Sequence, residues 1–136
     1  MKVAVRYYSR SGNSKKMAEA VAKVAGVPAM NVDVKLEEDV DVLFIVNALY
    51  WHGIDKNVKE FLKNPGARIG KLINVSNASL TDSTNPQMQK LASQLSLNLA
   101  DEEFHCKGQF KGLHKGRPNA DDLNQLEEFT LKILGK

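Results

Sequence analysis

The chain has one cysteine, Cys106, one tryptophan, Trp51, and only four prolines in 136 residues. A lone cysteine excludes an internal disulfide and any zinc site built from several thiolates, which fits a reducing compartment and a cytoplasmic protein. Long apolar runs are also missing. None approaches the roughly 20 residues that a membrane helix needs, and the start Met1-Lys2-Val3-Ala4-Val5-Arg6 is charged too soon for a secretory signal. Neither charge sign dominates: 19 basic against 16 acidic side chains leave a net charge of +3, with the lysines spread out, which argues against a nucleic acid partner. Internal repeats, linkers, metal-ligand clusters, carboxylate pairs and Ser/His/Asp sets at a recognisable spacing are all lacking.

What remains is a composition of 43% apolar and 26% charged residues, ordinary for one globular domain over residues 1–136. Short β-rich runs alternate with longer stretches at helical spacing, the pattern of an α/β domain. Val3-Ala4-Val5, within Lys2 to Tyr8, and Val42-Leu43-Phe44-Ile45-Val46 are near-continuous apolar runs, as central parallel strands buried on both faces require. Ala29 to Val32, Leu72 to Val75 and Glu103 to Cys106 read as three weaker strands, the last more polar and so placed at an edge. Four helical faces follow from the spacing: Met17, Val21, Val24 and Ala25; Val58, Phe61 and Leu62; Met88, Leu91, Ala92, Leu95 and Leu99; Leu123, Leu126, Phe129 and Ile133. Asn85-Pro86 and Asn119 suit helix starts. Asp33 to Val40 is too short for a full helix, so a short or missing helix is expected between the second and third strands; roughly 3.3 Å per extended residue still lets the segment cross one neighbouring strand.

The first strand runs directly into Ser9-Arg10-Ser11-Gly12-Asn13-Ser14 and then into a helix, which makes this loop an anion site by position. Ser9, Ser11 and Ser14 add hydroxyl donors, Gly12 permits close backbone approach, Asn13 can bridge a tight turn, and Arg10, Lys15 and Lys16 add positive charge. A terminal phosphate monoester matches that set. A plain helix cap needs only one such residue, so three hydroxyls, a glycine and an asparagine in six positions exceed the requirement. Rival phosphate loops fail on inspection: there is no G-x-x-x-x-G-K-[ST] run, and one glycine cannot serve as the G-x-G-x-x-G fingerprint. Cys106 is too distant to be a phosphatase thiolate in this loop, and Tyr7 and Tyr8 stand where a phospho-acceptor domain carries acids.

Tyr7-Tyr8-Ser9-Arg10-Ser11-Gly12-Asn13-Ser14, between a strand and an Ala-rich helix, resembles the phosphate loop of flavodoxins. Phe104-His105-Cys106-Lys107-Gly108-Gln109-Phe110 followed by Pro118-Asn119-Ala120-Asp121-Asp122-Leu123 resembles the end of a group of short bacterial flavodoxin-like proteins. The matches span nearly the whole chain. The resemblance implies a doubly wound, five-stranded parallel sheet of order 2-1-3-4-5; flavodoxins are the usual instance of that order with FMN at its switch point, so the order is taken from the likeness. It also implies FMN as cofactor, electron transfer to a redox partner protein or a small acceptor, and a monomer or weak dimer. In flavodoxins the loops after the third and fourth strands hold the flavin ring. Here the first is Leu49-Tyr50-Trp51-His52-Gly53, where Tyr50 or Trp51 could stack on the ring or instead pack beside Phe61, and Gly53 could turn the backbone toward it. The second contains Asn77, Ala78 and Ser79, whose backbones could meet the pyrimidine edge, although it lacks the aromatic and acidic residues that many flavodoxins carry there.

Other reactive side chains have simpler explanations. Cys106 reads as a small buried hydrophobe, His52 as a loop histidine that could face the flavin, and His114-Lys115-Gly116-Arg117 as a solvated loop open to an acidic partner. Two alternatives share the fold: a small FMN-dependent NAD(P)H or quinone reductase, and a binding module that no longer holds flavin.

Overall fold

A computed structural model describes residues 1–50, 53–79, 83–109 and 114–136, with only the backbone of Tyr50. The chain runs β1 (Val3–Tyr7), α1 (Asn13–Ala25), β2 (Ala29–Asn31), β3 (Val40–Tyr50), β4 (Gly53–Ile54), α2 (Lys56–Lys63), β5 (Ile69–Ala78), α3 (Asn85–Leu95), β6 (Leu99–Lys107) and α4 (Ala120–Leu134). Five strands pair in parallel in the order β2-β1-β3-β5-β6. That is the expected 2-1-3-4-5 order once β4 is set aside. The five expected parallel strands are all present, and a two-residue strand, β4, adds to them by pairing antiparallel with the end of β3.

Successive residues of the central strands face opposite layers, which is why their sequences are almost continuously apolar. Val5, Phe44, Val46, Ile73 and Val75 pack with Met17 and Val21 of α1 and Leu126 of α4. Ala4, Leu43, Ile45 and Leu72 point the other way, onto Val58, Phe61 and Leu62 of α2 and Met88 and Leu91 of α3. Helices therefore cover both faces, as a doubly wound sheet demands.

The third helical face ends earlier than its spacing implied. Ser96 sits in the left-handed region at φ 56° and terminates α3 at Leu95, so Leu99 opens β6 and is not a helix residue. β6 does form the sheet edge, from Leu99 rather than Glu103. No helix forms between β2 and β3. Arg6 takes its place on that side: only 7% exposed, its guanidinium donates to Val34 O at 2.8 Å, Val5 O at 3.1 Å and Lys35 O at 3.3 Å. A cation on β1 thus satisfies the carbonyls of Val34 and Lys35, which a helix in that segment would have satisfied itself.

Candidate functional site

Strand order reverses between β1 and β3, since β2 lies on one side of β1 while β3, β5 and β6 extend on the other. Loops leaving the carboxyl ends of β1 and β3 diverge there, and such a crevice is where open α/β sheets hold ligands. The loop 8–12 borders it from β1. The β3–β4 hairpin borders it from β3, with Leu49 opposite Ile54 and Tyr50 opposite Gly53.

The first loop folds on itself. Gly12 N donates to Ser9 Oγ at 2.9 Å, and Gly12 has φ 92°, in the left-handed region that strains an L side chain. Arg10, Ser11 and Gly12 are exposed, whereas Ser14 is buried and its Oγ accepts from Asn77 Nδ2 at 3.0 Å.

α1 begins without a side-chain cap, as does α3, while α2 and α4 are capped by Asp55 and Asn119. Its first turn also holds no acid; Lys15 and Lys16 stand there instead. Lys16 N finds the first helical acceptor, Gly12 O at 3.0 Å, so the N–H groups of Asn13, Ser14 and Lys15 have no carbonyl of the helix to bond. Lys16 Nζ reaches Pro118 O at 3.4 Å, and positive charge in a first turn is disfavoured by the positive end of the helix dipole, a cost that a bound anion offsets. The serines of this loop are therefore not spent on capping.

Arg10 reaches across the crevice. Its Nη2 lies 2.6 Å from Asp55 Oδ2, and the other Asp55 oxygen accepts from both N and Nδ2 of Asn57 at 2.8 Å. Burial pulls the Asp55 carboxyl up, but the Asn57 hydrogen bonds and the Arg10 guanidinium outweigh it and hold the group below the ordinary carboxylate range. This pair joins the loop between β1 and α1 to the segment just after β4. Asp55 has no signal in the sequence beyond that of an aspartate at a helix start, a cap.

Of the residues expected at the ring, Leu49, Tyr50 and Gly53 lie on the paired strands of the β3–β4 hairpin. Leu49 is half-buried, and Gly53, at φ 95°, has open space where a Cβ would stand. Tyr50 closes β3, and Trp51 and His52 lie outside the described residues. Asn77 and Ala78 are the last residues of β5 and both are buried, with Ser79 following. Their carbonyls are already engaged in part: Ala78 O accepts from Gly108 N at 3.1 Å, and Ser79 O lies 2.9 Å from His114 Nε2. Asn13 Nδ2 donates to Gln109 O at 3.1 Å. The connection after β6, which reads as a solvated loop, is thus tied at these points to the anion loop and to the end of β5.

Beneath the hairpin lies a polar group that no apolar pattern reveals. Asn47, 1% exposed, donates to Asn74 Oδ1 at 2.8 Å, while its own Oδ1 has no hydrogen-bond partner among the described residues. Leaving such an acceptor buried costs on the order of 1–3 kcal/mol. Cys106 is buried against Met17, and burial foremost, with Asp122 adding to it, pushes its thiol up to about 12. Among the described residues no group of three or more His, Cys, Asp or Glu is placed to hold a metal ion.

No protein-family model matches the chain and no curated protein matches it. Solved structures do. A flavodoxin from the domain Archaea aligns over 99% of this chain and 97% of its own, with a TM-score of 0.73 and 18% identity. Oxidised Flavodoxin 1 from Bacillus cereus aligns over 99% and 98%, with a TM-score of 0.75 and 12% identity. A short-chain flavodoxin associated with a non-canonical PDU bacterial microcompartment aligns over 99% and 98%, with a TM-score of 0.71 and 14% identity. The fold is flavodoxin-like.

Proposed function

We propose that residues 1–136 form one FMN-binding domain that carries electrons between a donor and a redox partner protein or small acceptor in the cytoplasm. The observation that carries this reading is the start of α1, uncapped, without acid and flanked by Lys15 and Lys16, at the switch point of a flavodoxin-like sheet. A phosphate dianion fits that donor set. The first-turn N–H groups of α1, Ser9, Ser11 and Ser14 and the charge of Arg10 would hold the phosphate, and Leu49-Tyr50-Trp51-His52-Gly53 and Asn77-Ala78-Ser79 would hold the ring. When bound, FMN supplies one- and two-electron chemistry, and the protein supplies position and local charge. Saturable quenching of FMN fluorescence by the purified protein, at one flavin per chain, is the expected result. A protein that leaves the fluorescence unchanged throughout such a titration does not have this function.

A further inference from the structure

Asn77 is an unusual residue for its position. It lies in β5, paired through the backbone with Ala48 and Cys106, and is 3% exposed. Asparagine is depleted in strands, and a buried amide must find partners for both its ends. Its Nδ2 lies 3.0 Å from Ser14 Oγ, 3.4 Å from Asn47 O and 3.5 Å from Met17 Sδ. Asn47 O is a backbone carbonyl and can only accept, so it sets which way round the amide stands: the NH₂ faces β3 and α1. Ser14 Oγ therefore accepts, and its own proton is left to be donated elsewhere. The opposite side of the amide is fixed by Gly108, where a Cβ would stand 2.5 Å from Asn77 Oδ1 and 3.0 Å from Asn13 Nδ2. Gly108 is not at positive φ, so its glycine serves this close approach and not a turn.

We propose that Asn77 is a positioning residue for the anion loop. It locks the first turn of α1, through Ser14, to the end of β3, and so fixes the phosphate position relative to the hairpin that borders the ring. This rests on the proposed FMN site. It gives Asn77 a role distinct from a contact to the flavin edge, because its side chain meets the helix start and not the crevice above the hairpin.

The test compares FMN with riboflavin, which carries the same ring without the phosphate. In Asn77→Leu, which keeps the branched shape and removes the donor, FMN affinity falls about tenfold, the worth of one disturbed charge-assisted hydrogen bond from Ser14 to the phosphate, while riboflavin affinity stays within about twofold. Asn77→Asp falls further, about a hundredfold for FMN, because a carboxylate accepts the Ser14 proton and sets like charge beneath the phosphate. Gly108→Ala presses on the same amide without changing its chemistry, and on Asn13 Nδ2 of the loop as well, and it too lowers the FMN-to-riboflavin ratio. Far-UV circular dichroism and a thermal melt confirm that each variant folds. Parallel loss of both ligands, or an unchanged ratio in all three variants, overturns the positioning role while leaving FMN binding intact. A wild-type protein that binds neither ligand overturns the role together with the proposed function.

Discussion

The Lys15 ammonium stands in the first turn of α1, which has no side-chain cap and no acid. If that turn exists to receive an anion, Lys15→Glu should have opposite effects on the free and the liganded protein. In the free protein the change removes a charge that opposes the helix dipole and adds one that complements it; at 0.3–1 kcal/mol for each, the gain is about 1 kcal/mol at low ionic strength. For a domain of this size that corresponds to a rise in Tm of about 4 °C. In the presence of an anion the sign reverses, because a carboxylate now repels the ligand and the stabilisation that binding provides shrinks. The assay is a pair of thermal melts in a low-salt buffer free of multivalent anions, with and without inorganic phosphate or FMN. Wild type should gain from the anion and the variant should gain less from a higher starting point. Added sodium chloride should compress both differences, since exposed charges are screened within about 10 Å at 0.1 M. A variant less stable than wild type without anion, or stabilised equally by phosphate, would refute the reasoning.

Three further outcomes follow from other contacts. Asp55→Ala removes the α2 cap and the Arg10 partner; the cap accounts for about 1 kcal/mol and the half-exposed ion pair for less, so urea unfolding should show a loss of about 1–2 kcal/mol, and Arg10→Met alone should lose under half of that. Equal losses would mean that the ion pair, and not the cap, carries the stability. Asp122, in the capping box of α4 and 2.6 Å from the Arg117 guanidinium, has its carboxyl pulled up by burial but held below the ordinary range by that guanidinium and the Asn119 N–H. The folded value lies below the unfolded one, so its contribution is present above the unfolded value of 3.8 and is lost as pH falls through the folded one; Asp122→Asn should therefore flatten the acid limb of a stability-against-pH curve, and an unchanged limb counts against it. Cys106, buried with its thiol near 12, should resist a thiol reagent at pH 8 in the native protein and react at once in denaturant. Rapid native labelling would show that it is not held in the core.

The two central strands are legible because a strand covered on both faces must be apolar almost throughout, and Val3-Ala4-Val5 and Val42 to Val46 are. Their ends are not. β3 continues through Asn47 to Tyr50 and β5 through Ser76 and Asn77 to Ala78, where polar side chains look like loop but are buried and largely bonded to one another, to backbone and to helix starts. Such partners are far apart in sequence, and no local pattern announces them. The turn at residues 9–14 between β1 and α1 is legible because its pattern is local: strand, hydroxyl-rich turn and helix are consecutive. The Arg10–Asp55 bridge and the packing of Gly108 against Asn77 join residues 45 and 31 positions apart, and only the fold brings them together.

The central claim is that the start of α1 grips the phosphate of a flavin, and it is tested most directly by titrating one protein preparation with FMN and with riboflavin in the same low-salt buffer. The account predicts that FMN binds at least about a hundredfold more tightly, as expected when a dianion gains several charge-assisted hydrogen bonds. Equal affinity for the two ligands would contradict it.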